Sequence, residues 1–113
     1  MVEVNGTTIT MVRGDTLSLQ LTIKNADGTT YTPASTDAIR FALKKNYSDA
    51  NPILNKTIPY NTLTLTLVPN DTKTLGMGDI DGRYHYDIEI TKADGTVDTI
   101  IPRSDFIILE EVH

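Results

Sequence analysis

The sequence contains no cysteine and no tryptophan. Without cysteine there is no disulfide, no thiolate nucleophile and no thiolate metal ligand, so the fold must hold by core burial alone. That composition fits a reducing compartment. Basic residues are also few: 10 Lys and Arg stand against 15 Asp and Glu, for a net charge of -5. The longest basic run is Lys44-Lys45. Duplexes and anionic membranes are usually met by a basic cluster, so neither nucleic acid nor a membrane is an expected partner. No stretch approaches the roughly 18 apolar residues of a membrane span. Met1-Val2-Glu3-Val4-Asn5 lacks the basic and apolar regions of a secretory signal. Four Asn-x-Ser/Thr triplets, at Asn5, Asn46, Asn55 and Asn70, are therefore read as chance products of a threonine-rich chain.

What the sequence does have is threonine, 18 residues of it, in alternating runs with large apolar residues. Threonine suits a pleated, half-solvated surface, so the composition leans to β-structure. At 113 residues the chain is expected to form one domain, 1–113, with a single core. The strongest pattern is Gly82 to Gly95. Tyr84, Tyr86, Ile88 and Ile90 alternate with Arg83, His85, Asp87, Glu89 and Thr91, and the run stops at Asp94-Gly95. Period two over that length predicts a half-buried central strand.

Other strands follow from the same rule. Asn5-Gly6 between β-prone residues predicts a hairpin of Val2 to Val4 with Thr7 to Val12. Thr16 to Lys24 places Leu17, Leu19, Leu21 and Ile23 on one face. A turn at 25–28 leads to a short strand or an extended edge at Thr29 to Thr32, and Pro33 loosens the sheet. Ala38 to Lys45 turns Ile39, Phe41 and Leu43 inward. Asn46 to Pro52 is a polar loop, Ile53 to Ile58 a weaker strand, and Thr62 to Val68 a strong one. Asn70 or Asp71 as N-cap, with Gly76 just past the end, predicts a short helical turn near 71–75. Thr96 to Ile101 returns as a hairpin arm, Pro102-Arg103-Ser104 interrupts it, and Phe106 to Val112 is the last strand. Its Phe-Ile-Ile-Leu run, apolar on both faces, implies burial between neighbours or an interface. The total is about eight or nine short strands, the spacing of an all-β sandwich or barrel. Ala-Asp-Gly-Thr occurs at 26–29 and again at 93–96, which we read as convergent turn chemistry.

Chemistry is sparse. Arg13-Gly14-Asp15 matches a tripeptide read by integrins, but Gly and Asp between two strands are ordinary turn residues. Asp79-Ile80-Asp81-Gly82 resembles part of a calcium loop, yet Met77 and Ile88 stand where two ligands are required. His85 and His113 are too few for a metal site without further ligands. No nucleophile motif, phosphate loop or carboxylate pair of telling spacing is present. No catalytic, cofactor-binding or metal residue is assigned, and the chain is not expected to be an enzyme. Gly82-x-Tyr84-x-Tyr86, entered after a helical turn, resembles the tyrosine corner of immunoglobulin-type sandwiches, in which a tyrosine hydroxyl bonds to upstream backbone. Tyr84 would be that tyrosine. The alternative is two ordinary core tyrosines.

Several segments, in order, resemble a family of phage tail proteins: the N-terminal domains of baseplate upper proteins and related small prophage virion components. They are Arg13-Gly14-Asp15-Thr16, Asp27-Gly28, Ala38-Ile39-Arg40-Phe41-Ala42-Leu43-Lys44-Lys45 and Pro69-Asn70-Asp71-Thr72-Lys73-Thr74-Leu75. Gly82-Arg83-Tyr84-His85-Tyr86-Asp87-Ile88 follows, then Asp94-Gly95 and Thr99. The resemblance spans nearly the whole chain. It implies an immunoglobulin-like β-sandwich that anchors or joins parts of a tail or baseplate. It also implies a homo-oligomer in the particle, with other tail or baseplate proteins as partners, made in the bacterial cytoplasm and located in the virion. Two departures stand out. The stretch from Leu75 to Tyr84 is longer than the family's usual connection, and the long stalk and receptor-binding head of full baseplate proteins do not follow the last strand. The chain is thus expected to be either an excised domain or a small tail protein. The alternative function is a ligand-binding module of carbohydrate-binding or adhesin type, for which Tyr31, Tyr47 and Tyr60 are the candidate contact aromatics.

Overall fold

A computed structural model describes residues 2–5, 7–25, 27–46, 48, 50–73, 75 and 82–109. Among them are eight strands and one helical turn: β1 (Val2–Asn5), β2 (Thr8–Val12), β3 (Leu17–Gln20), β4 (Ala38–Lys44), β5 (Leu54–Ile58), β6 (Thr64–Leu67), α1 (Pro69–Thr72), β7 (Arg83–Thr91) and β8 (Val97–Leu109). The protein is all-β. A curled six-stranded sheet runs β1-β2-β8-β7-β4-β5, and a small second sheet pairs β3 with β6. Neighbours are antiparallel except β2 and β8, which are parallel from Ile9↔Phe106 to Val12↔Leu109.

The period-two patterns decide what is buried. β7 lies between β8 and β4, so it is a central strand, and Tyr84, Tyr86, Ile88 and Ile90 all face the core. Ile39, Phe41 and Leu43 meet them from β4, and Phe106 and Ile108 from β8. Leu17, Leu65 and Leu67 close the core from the second sheet. At its centre the rings of Phe41, Tyr86 and Phe106 lie 5.5 to 6.0 Å apart, tilted or edge-on. Such pairs add about 0.5–1.5 kcal/mol each beyond their buried area.

Four expectations change. The strand predicted at 16–24 is regular only over β3, although Leu19, Leu21 and Ile23 still pack on the core. Beyond Gln20 the chain turns to pair with 29–31, where Lys24 and Thr30 form an isolated bridge instead of a strand. The helical turn starts at Pro69, not 71. Pro fits the first helical position because its absent N–H would be unpaired there anyway. The turn is closed by reciprocal bonds: Asp71 N–H donates to the Val68 carbonyl (2.9 Å) and Val68 N–H to the Asp71 carboxylate (2.8 Å). Finally, Pro102 does not interrupt the chain's last strand, so 97–109 is one strand. The register with β7 shifts between Tyr86 and Glu89, opposite Pro102, and β2 joins β8 only from Phe106. A residue without an N–H is tolerated at such an irregular, one-sided position. Gly6, Gly76 and residues 110–113, on which parts of the hairpin, helix-end and last-strand expectations fell, lie outside the described residues.

Gly82 enters β7 with φ +55, and a Cβ there would overlap the carbonyl oxygen of Ile108. Gly28 also has positive φ, +91, but open space around it. Gly82→Ala is therefore predicted to cost more than about 3 kcal/mol, from strain and collision together. Gly28→Ala is predicted to cost about 1 kcal/mol, from strain alone. Urea unfolding of both variants checks the ordering.

Candidate interaction surface

Arg13-Gly14-Asp15 is built into the fold. Asp15 N–H donates to the Val12 carbonyl at 3.1 Å, and Gly14 has φ +85. Arg13 N–H extends the β2–β8 ladder to the Leu109 carbonyl at 2.8 Å. Gly14 N–H donates to Thr72 Oγ1 at 2.9 Å, and the Arg13 guanidinium donates to the Leu75 carbonyl at 3.4 Å. Thr72 is fully buried. Its hydroxyl thus serves as the acceptor that joins this turn to α1. The tripeptide is a structural turn whose arginine is held against the chain.

The outward face of β7 carries paired charges. His85 Nδ1 lies 3.3 Å from Asp105, which also takes the Arg83 guanidinium at 3.3 Å. Arg40 pairs loosely with Glu89 across β4 and β7, at 3.9 Å. Ala42, the smallest residue of that face, leaves a shallow cleft of about 240 Å³ bordered by Lys44, His85, Asp87 and Arg103. These partly exposed pairs contribute little stability. Among the described residues no group of three or more His, Cys, Asp and Glu could hold a metal ion. Residues 79–81 of the loop compared with a calcium site, and His113, lie outside the described residues.

A hydroxyl bonded to upstream backbone is seen at Tyr86. Tyr86 donates to the Thr7 carbonyl, and Ser104 Oγ beside it lies 2.8 Å from Thr7 Oγ1 and 2.7 Å from the Pro102 carbonyl. This small polar cluster clips the β1–β2 connection to the bulged part of β8. Burial pushes the Tyr86 phenol up to about 12. Tyr84 is buried too, with the Lys45 ammonium 4.7 Å over its ring.

The two Asp-Gly-Thr segments form turns of one design. Asn25 and Lys92 N–H donate to the Thr29 and Thr96 carbonyls at 2.7 and 2.8 Å, and Gly28 and Gly95 have φ +91 and +89. In each, the aspartate accepts the N–H of the threonine two residues on, at 3.0 and 2.9 Å. Hydrogen bonds from Thr29 and Thr96 hold Asp27 and Asp94 below the ordinary carboxylate range. Tyr31 donates to Asp37 at 2.6 Å, which raises the phenol and lowers the carboxyl.

Both turns stand at one end of a groove between the two layers. Its apolar floor is Leu19, Leu21, Leu65, Ile88, Ile100 and Ile101, around a cavity of about 240 Å³. A polar cavity of about 550 Å³, which shares Thr22 and Ile100, extends it to Lys24, Lys92 and Asp98. Sequence reasoning did not find the groove, because it depends on which strand edges are left without neighbours. Of the aromatics considered for ligand contact, Tyr31 is half-buried under the Lys92 ammonium, 5.0 Å from its ring, and Tyr60 is exposed. Tyr47 lies outside the described residues. Comparisons of the chain with family models, curated proteins and solved structures find no match.

Tyr86→Phe leaves the Thr7 carbonyl without this donor and is predicted to cost about 1 kcal/mol at neutral pH. The tyrosine's folded value, about 12, lies above its ordinary 10.0. Its contribution is therefore fully present below the ordinary value and is lost as pH rises toward the folded one. Unfolding curves across that alkaline window should show a smaller loss of stability in Tyr86→Phe than in the parent chain.

Proposed function

We propose that this chain is a non-enzymatic structural module of a phage or prophage tail or baseplate, an immunoglobulin-like domain that joins larger virion parts. The observation that carries the reading is how the segments that resemble the tail family meet. Arg13 and Gly14 are bonded to Leu75 and Thr72. The Ala38-to-Lys44 strand pairs along its whole length with the strand from His85 to Thr91. Segments far apart in sequence thus meet in the fold, as one shared architecture would require.

Strand order supports the finer fold. In immunoglobulin-type sandwiches one sheet contains neighbouring G, F, C and C′ strands and the other contains B and E. Here β8-β7-β4-β5 and β3-β6 fit those places. The reading implies copies of the domain arranged about a particle axis, with tail or baseplate proteins as neighbours. It makes the outward, charged faces contact surfaces rather than reaction sites.

Mass spectrometry of gradient-purified particles from a producing lysogen tests this. The chain's peptides are expected in the tail-containing fraction at stoichiometric abundance. Abundance in the lysate with absence from particles would contradict the proposal.

A further inference from the structure

Among aspartyl bonds, Asp-Gly rearranges most readily, because glycine has no side chain to hinder approach to its nitrogen. The glycine nitrogen attacks the aspartate Cγ, the N–H proton and a carboxyl oxygen leave as water, and a five-membered succinimide closes. Water then opens either carbonyl of the ring. One opening restores aspartate, and the other leaves the chain running through the side-chain carboxyl as isoaspartate. Atoms balance, and no oxidant or reductant takes part. The attack needs a glycine amide free to give up its proton and a carboxyl able to lose oxygen, which the ionised form does poorly.

Three Asp-Gly bonds occur in the sequence, and Asp27-Gly28 and Asp94-Gly95 lie among the described residues. All four residues are exposed, and the space beside each glycine is open. Neither burial nor crowding therefore protects these bonds.

Hydrogen bonds withhold both reactants instead. Gly28 N–H donates to the Asn25 carbonyl and Gly95 N–H to the Lys92 carbonyl, each at 2.9 Å. The Asp27 carboxylate accepts the Thr29 N–H at 3.0 Å and the Thr29 hydroxyl at 2.6 Å. That hydroxyl is oriented in turn by the Asn25 side-chain amide, which donates to it at 3.1 Å. Asp94 accepts the Thr96 N–H at 2.9 Å. Hydrogen bonds to an ionised carboxylate favour its charged form. They also draw its oxygens toward the threonine two residues on.

We infer that these turns shield two labile bonds, keeping Asp27-Gly28 and Asp94-Gly95 from isoaspartate formation, and that the Thr29 hydroxyl is the side-chain part of the first shield. The repeated Asp-Gly-Thr then does more than turn the chain. The inference stands on the turn geometry and is independent of the assembly reading.

Prolonged incubation of the whole chain at neutral pH tests it, with isoaspartate at each site read by peptide mass spectrometry using electron-transfer fragmentation, which distinguishes the isomers. Both sites are expected to rearrange about tenfold or more faster in denaturant than in the folded chain. Thr29→Ala keeps the backbone bonds and removes the hydroxyl. It is expected to raise the rate at Asp27 about fivefold, while Asp94 in the same molecule stays at the parent rate. Thr29→Ser, which keeps a hydroxyl, is expected to stay near the parent at both sites. Equal rates in the folded and denatured chain overturn the inference, as does an unchanged rate at Asp27 in Thr29→Ala or a serine variant as fast as the alanine one. Amide exchange at Gly28 separates the hydroxyl from closure of the turn. Exchange in Thr29→Ala is expected to match the parent. A rise equal to the rise in rearrangement would assign the protection to the backbone bond and overturn the role of Thr29.

Discussion

The structure depends on one constraint: a two-stranded layer has to cover the apolar face of a six-stranded sheet. Two strands cannot do so if the sheet lies flat. The large sheet curls, and β5 comes round to meet β6. The core fills what the curl encloses, with Phe41, Tyr86 and Phe106 at its centre. The cost of covering so much with so little appears on the opposite side, where Leu19, Leu21, Ile100 and Ile101 are only partly buried.

Polar contacts hold the ends of this arrangement. Thr72 is buried and accepts from Gly14, which fixes α1 to the turn between β2 and β3. Tyr86 and Ser104 meet at Thr7, which fixes the β1–β2 connection to the bulge in β8. A buried acceptor or donor left unmade costs roughly 1–3 kcal/mol, comparable to losing a small apolar side chain, so these few bonds matter despite their number. They also explain why Arg13-Gly14-Asp15 reads as architecture. Its glycine and arginine are both spent within the chain.

Much of the fold was legible because alternation is a local signal. Period two alone puts Tyr84 to Ile90 on one face and turns Ile39 to Leu43 inward, and residue types alone mark the twin Asp-Gly turns. What was not legible is non-local. The parallel pairing of Ile9 with Phe106 joins strands at opposite ends of the chain, and nothing in either strand announces it. Pro102 looked like an interruption because its tolerance depends on a missing neighbour. Nothing near Thr72 in the sequence marks it as the buried acceptor of the Gly14 N–H. The bond from the Tyr86 hydroxyl to Thr7 is non-local too, since only the fold brings Thr7 within its reach. The groove belongs to the same class, since an unpaired edge is a property of topology and not of any one strand.

The central claim is that β3 and the residues after it carry an unpaired edge over an incompletely covered core. Amide hydrogen exchange of the isolated chain at low concentration tests it most directly. Slow exchange is expected at Leu21 and Asn25, whose amides are bonded, and fast exchange at their neighbours Thr22 and Lys24. Equal protection at all four positions would contradict it, because the edge would then already have a partner within the chain.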